Sequence, residues 1–182
     1  LADFERWRAQ GLGVPSVSVN VSFRRLHDDH LISSLRHLDI RPGILSFELL
    51  ESIFLDEPDD LVSWNLDQIR DLGIDINIDD FGTGHASILS LLKLQPKRLK
   101  IDRQFIDAIV SSESQRRLVG SLIDIGKSLS IKVVAEGVET LEQARILRGL
   151  GCDALQGYAF ARPMRASDLE DMLRTESWRR AS

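Results

Sequence analysis

Six short runs of this chain each present one apolar and one polar face: Val17–Ser22, Ile44–Leu50, Ile74–Asp80, Arg98–Asp102, Ile131–Glu136 and Ala154–Tyr158. The apolar face carries Val17, Val19 and Val21; Leu45, Phe47 and Leu49; Ile74, Ile76 and Ile78; Leu99 and Ile101; Val133 and Ala135. The other face carries Ser18, Asn20 and Ser22; Ser46 and Glu48; Asn77 and Asp79; Arg98 and Lys100; Val134 and Glu136; Ala154 and Gln156. Such two-residue periodicity is the signature of strands. The segments between them have helical spacing, so strands alternate with helices and the sheet is expected to be parallel. In an open doubly wound sheet helices cover both faces, and both would read hydrophobic. One polar face on nearly every strand instead points to a barrel, with helices outside and polar groups collecting at the mouth where the strands end.

Helix punctuation supports this reading. Thr140 and Gln143 fit a capping box, Leu141, Ala144, Leu147 and Leu150 follow at helical intervals, and Gly151 stands where a left-handed stop belongs. Ser167 and Glu170 repeat the capping pattern ahead of Leu169, Met172 and Leu173. Apolar stripes over Val62, Leu66 and Ile69 and over Leu118, Leu122, Ile125 and Leu129 predict two more helices. Phe4 and Trp7 mark an opening helix that Gly11–Gly13 ends. A full barrel has eight strands and typically about 250 residues. Residues 1–182 are therefore expected to be one domain, a TIM-like barrel whose first two strands, in roughly 70 residues, lie before Leu1.

Charge narrows the partners. With 23 Lys and Arg against 28 Asp and Glu, the net charge is −5, and no basic face for gripping a nucleic-acid duplex is expected. Cys152 is the only cysteine, which excludes an intrachain disulfide and suggests a small core residue. No apolar run reaches the length of a membrane span. A cytoplasmic location is the expectation, with any membrane tether outside these residues.

Asn20, Glu48, Asp79, Lys100, Glu136 and Gln156 each fall late in their strand, so six strands deliver six functional groups to one mouth. Glu48, Asp79, Asp80 and Glu136, with the Asn20 amide, form an all-oxygen set suited to Mg²⁺ or Mn²⁺, and adjacent carboxylates can bridge two such ions. Two hard cations suit phosphoryl chemistry, and Lys100 supplies a fixed positive charge on the same rim. Gly82 and Gly84 permit a tight turn beside the acids. Each residue also has an ordinary use: an Asp-Asp pair can cap a helix, Asn20 can be a core amide, and Lys100 can pair with Asp102. His27, His30 and His37 fall in a helical region without a second ligand cluster, whereas His85, after the glycine loop, could approach a ligand.

V-N-V-S at Val19–Ser22, E-L-L-E at Glu48–Glu51, D-D-F-G-T-G at Asp79–Gly84, L-K-I-D at Leu99–Asp102, A-E-G-V-E at Ala135–Glu139 and Q-G-Y at Gln156–Tyr158 together resemble the EAL-domain family. The resemblance spans nearly the whole chain in order. It implies a TIM-like barrel, often homodimeric, that hydrolyses the bacterial second messenger cyclic di-GMP to linear pGpG with Mg²⁺ or Mn²⁺. By motif, Asn20, Glu48 and Asp79 resemble the ligands of one metal, and Asp79 and Asp80 those of a second. Glu136 resembles the general base, Lys100 and Gln156 the residues around the attacking water, Glu51 the anchor of the Asp79–Ser87 loop, and Glu139 a supporting residue. Upstream sensor or GGDEF-type domains accompany many relatives. Three departures stand out. The glutamate of the E-A-L signature has no counterpart in residues 1–182, Leu50 replaces the usual threonine, and His85 and Ala86 replace tyrosine and serine. A catalytically impaired domain that binds cyclic di-GMP as a receptor or interaction module is the alternative expectation.

Overall fold

The structure is a computed structural model, and it describes residues 2–38, 40–54, 60–84 and 87–175. The chain begins with α1 (Ala2–Ala9), followed by β1 (Val17–Asn20), α2 (Phe23–Leu26), α3 (Leu31–Arg36), β2 (Leu45–Leu50), α4 (Asp60–Asp71) and β3 (Asp75–Phe81). It continues with α5 (Ile88–Leu94), β4 (Arg98–Ile101), α6 (Glu113–Ser128), β5 (Lys132–Ala135), α7 (Leu141–Leu150), β6 (Ala154–Leu155) and α8 (Ala166–Thr175). All six strands are parallel, and their order in the sheet is their order in the chain. Right-handed crossovers without a reversal of direction place every connecting helix on the same side. The opposite face is the interior of a curled, incomplete barrel, as parity predicts. Where the sheet stays open between β1 and β6, α1 meets α8: Arg6 lies 3.8 Å from Glu170, and Arg174 donates to Gln10 at 2.9 Å.

Two apolar clusters hold the helices to the sheet. One joins Leu45, Phe47, Leu49, Ile76, Ile78 and Leu99 to Val62, Leu66 and Ile69 of α4; the other joins Ile101, Val133 and Ala135 to Val119, Ile123, Ala144 and Leu147. The β1 face differs from the expected pattern, since Val19 is 45% exposed on an edge strand.

The α6 stripe is also displaced. Val119, Ile123 and Gly126 form its buried line, while Leu118 faces outward and Leu122, Ile125 and Leu129 flank the contact. Gly126 explains the rotation, because a Cβ there would stand 2.3 Å from Val133 Cγ2 and 3.1 Å from the Ile131 carbonyl. Gly126→Ala is expected to cost about 1–3 kcal/mol by pushing α6 off β5. A urea titration checks this, and an unchanged midpoint contradicts the close approach.

Capping separates the last two helices. On α7 Thr140 accepts from Gln143 N at 3.1 Å, Gln143 Oε1 accepts from Thr140 N at 3.0 Å, and Gly151 follows with φ 87°. Ser167 does not cap α8, which already begins at Ala166; its hydroxyl contacts Asp168 at 3.2 Å instead.

Candidate metal and catalytic site

Asp79 and Asp80 are sequence neighbours, and strict strand alternation would send them to opposite faces. A β-bulge prevents this. Ile78 pairs with Leu99 and Phe81 with Ile101, so two residues of β3 stand opposite Lys100 alone. Asp80 takes the extra step with φ 55°, a left-handed conformation that aspartate tolerates better than most residues. Both carboxylates thereby reach the mouth, where one oxygen each from Asp79, Asp80 and Glu136 lies within 4.8 Å of the others.

Lys100 occupies the centre. Its side chain is 6% exposed, and Nζ donates to Glu48 Oε2 at 2.8 Å. Asp79 Oδ1 at 3.0 Å and Glu136 Oε1 at 2.5 Å complete a close ion cluster drawn from four strands. The ordinary alternative for Lys100, a pair with Asp102, does not form. Asp102 leaves the strand end and accepts from Gln104 N at 2.8 Å, capping the short 3-10 turn Arg103–Phe105.

The electrostatics follow from this crowding. Burial pushes the Glu136 carboxyl above the usual range, with Lys100 opposing the shift and Asp79 and Glu48 adding to it. Asp80 is also raised, by burial first, then by its hydrogen bond with Asp102 and the charge of Asp79. Burial alone would depress the Lys100 ammonium, but its contacts with Glu136 and Glu48 outweigh that and hold it above the ordinary lysine value. Three carboxylates gathered round one buried cation fit hard divalent ions by donor chemistry and by charge. Because Asp80 and Glu136 protonate above their ordinary values of 3.8 and 4.5, Mn²⁺ affinity is expected to fall as pH drops from about 8 to about 5.5. Calorimetric titration at both values tests this; equal affinities contradict it.

Glu51 is 2% exposed and works behind the cluster. Its Oε2 accepts from Gly82 N at 3.0 Å, Thr83 N at 2.8 Å, Thr83 Oγ1 at 2.9 Å and Gly84 N at 3.3 Å. Gly82 is required here: its φ is 103°, and a Cβ would stand 2.8 Å from the Phe105 ring. Glu51→Ala is expected to cost about 2–3 kcal/mol locally, because it strips a charged acceptor from successive backbone N–H groups. Faster hydrogen exchange at Gly82–Gly84 checks this, and unchanged protection contradicts it.

Asn20 and Gln156 are exposed at the ends of their strands, Asn20 in register with Glu48. Gln156 N donates to the Ala135 carbonyl at 2.8 Å, which keeps the residue beside Glu136. Glu139 is exposed, and its backbone N–H donates to Gln143 Oε1 at 2.8 Å. Leu50 is 53% exposed and in register with Asp79. His85 and Ala86 lie outside the described residues. Of the other histidines, His30 and His37 are exposed and His27 is half-buried against Phe23. Cys152 is half-buried at the edge of the second cluster.

A sequential parallel sheet with carboxylates converging at its C-terminal mouth defines a TIM-like domain with an acidic mouth. The EAL domain pattern matches residues 1–163, and the chain belongs to the EAL-domain family. It is 38% identical over 168 residues to the bifunctional diguanylate cyclase/cyclic di-GMP phosphodiesterase MucR of Pseudomonas aeruginosa, an alignment covering 90% of this chain and 24% of MucR. The chain spans about a fifth to a quarter of the length of the curated relatives it matches first. Among solved structures, the EAL domain of Mycobacterium smegmatis DcpA superposes with a TM-score of 0.86 at 33% identity, covering 96% of this chain and 80% of that one. The manganese and cyclic di-GMP complex of Klebsiella pneumoniae BlrP1 superposes with a TM-score of 0.75 at 30% identity, covering 88% of this chain and 42% of that one.

Proposed function

We propose that this chain is an EAL domain that hydrolyses cyclic di-GMP to linear pGpG with two Mg²⁺ or Mn²⁺ ions. The carrying observation is the convergence of Glu48, Asp79 and Glu136 on Lys100 at the barrel mouth, with an Asp80 oxygen within 4.8 Å of those of Asp79 and Glu136. Asn20, Glu48 and Asp79 are assigned to one ion, and Asp79 and Asp80 to the other. When bound, the ions neutralise charge on the phosphodiester and make water a stronger nucleophile at neutral pH.

The protein groups divide the remaining work. Glu136, with its carboxyl raised by burial, accepts a proton from the attacking water. Lys100 orients that water and offsets charge on a phosphate oxygen. Gln156, beside Glu136, helps to position the water. Glu51 fixes the loop that follows the acid pair, and Glu139 supports the β5–α7 turn. The water oxygen bonds to phosphorus as one P–O bond of the ring breaks, Glu136 holds the proton that water gives up, and the departing ribose oxygen takes a proton from solvent.

The domain extends over residues 1–182 and works in the cytoplasm, within a larger protein that carries sensor or GGDEF-type modules. Among the described residues no helix is long and apolar enough to cross a membrane. Pairing with a second copy is favoured by α5, which leaves Ile88, Leu89 and Leu92 each more than half exposed on one face.

The test is incubation of the full-length protein with cyclic di-GMP and Mn²⁺, with products read by mass spectrometry. Appearance of pGpG, abolished by chelator, is expected. Tight binding without turnover, insensitive to chelator, would replace the enzyme by a receptor.

A further inference from the structure

Below the carboxylates, β3 holds a buried amide whose oxygen has no partner. Asn77 is 1% exposed, and its Oδ1 accepts no hydrogen bond. Strand parity turns it to the same interior face as Asp79, and the register sets it between Glu48 on β2 and Arg98 on β4. Lys100 is two residues beyond Arg98, a diagonal neighbour at about 7–8 Å between backbones and within reach of a long side chain. Buried acceptors without donors are rare and destabilising. The orphaned oxygen therefore calls for a second state of the site in which a donor turns to it.

Lys100 is the donor that has reason to turn. Glu48, Asp79 and Glu136 enclose its ammonium here, and the first two are the carboxylates that the proposed function assigns to an ion. Once their oxygens engage divalent cations, the ammonium keeps its burial, loses acceptor strength and faces like charge. We propose that Asn77 Oδ1 is the neutral acceptor to which Lys100 Nζ turns when cations occupy the carboxylates, which makes Asn77 a positioning residue for Lys100. A neutral oxygen suits this role because it satisfies an N–H without adding a negative charge that would pull the ammonium back among the metal ligands. Its value for turnover rests on the phosphodiesterase reading; its effect on cation binding does not.

The experiment compares wild type with Asn77→Leu and Asn77→Ser in the full-length protein, using metal-free thermal melting, Mn²⁺ calorimetry and steady-state kinetics with cyclic di-GMP. Leucine keeps the branched four-atom shape, at a somewhat larger volume, and removes the orphaned acceptor, so Asn77→Leu is expected to melt near wild type without metal. It should nonetheless bind Mn²⁺ roughly tenfold more weakly, as losses of supporting contacts around a metal do. Its kcat should fall while KM changes little, and Asn77→Ser, which keeps an acceptor oxygen, should recover part of the affinity. The reverse pattern, lower metal-free melting with wild-type Mn²⁺ affinity, overturns the proposal and makes Asn77 a structural residue. If wild type binds Mn²⁺ but forms no pGpG, the enzyme reading fails while the affinity contrast still decides the role of Asn77.

Discussion

Lys100→Met lowers the melting temperature of the metal-free protein sharply, and Mn²⁺ restores most of the loss. The substitution removes the cation that Glu48, Asp79 and Glu136 share, and leaves their charges facing one another at 13%, 14% and 18% side-chain exposure. Breaking a buried ion cluster by deleting one partner costs about 3–5 kcal/mol, with the lower end applying here because the acids keep some contact with water. Glu136 is already raised in the folded state, and losing Lys100 raises it further. A carboxyl raised on folding stabilises the fold below its unfolded value, and that contribution is lost as pH rises through the folded value. The deficit of the variant should therefore shrink as pH falls toward about 5, where the crowded acids take up protons. The lysine contribution is itself constant across this range, since Lys100 titrates far above it. Differential scanning fluorimetry at two pH values, with and without Mn²⁺, reads all of this. A variant that melts like wild type without metal would mean that the cluster carries no strain.

Asp79→Asn is the complementary case: activity is lost and the fold is kept. Asparagine preserves the shape of the side chain but removes the charge that sits 3.0 Å from Lys100 and within 4.8 Å of the Asp80 and Glu136 oxygens. Turnover is expected to fall by about 10²–10³ or more, the scale of losing one well-placed electrostatic contact to the transition state. The Mn²⁺ isotherm should lose a binding event, because the bridging position no longer carries a full charge. Metal-free melting should hold or rise, since the charge of Asp79 is one of the causes that raise Asp80 and Glu136. Unchanged turnover excludes a bridging role for this residue.

Much of this was legible in the residues themselves, for a physical reason. Alternation along six strands separates a face that needs helices from one that can carry acids, and the parallel sequential sheet converts that parity into a mouth. What escaped the pattern was set by contacts between elements. The bulge that turns Asp80 inward depends on how β3 pairs with β4, which no local run of β3 encodes. The α6 stripe is off by one residue because its closest contact is made by Gly126, which has no side chain to register in an apolar pattern. Lys100 and Asp102 look like an ion pair two residues apart on one strand, but the chain turns after Ile101 and Asp102 becomes a cap. The Ser167 signal failed for a related reason: a serine–glutamate spacing marks a helix start only if the helix does not begin earlier.

Anomalous diffraction from a Mn²⁺-soaked crystal of the full-length protein locates any ions held by the mouth. Two peaks are expected at the barrel mouth, each beside an Asp79 oxygen, with Lys100 Nζ withdrawn from Glu48 and Asp79. An empty mouth, with Lys100 still held between Glu48 and Glu136 at saturating Mn²⁺, would contradict the account.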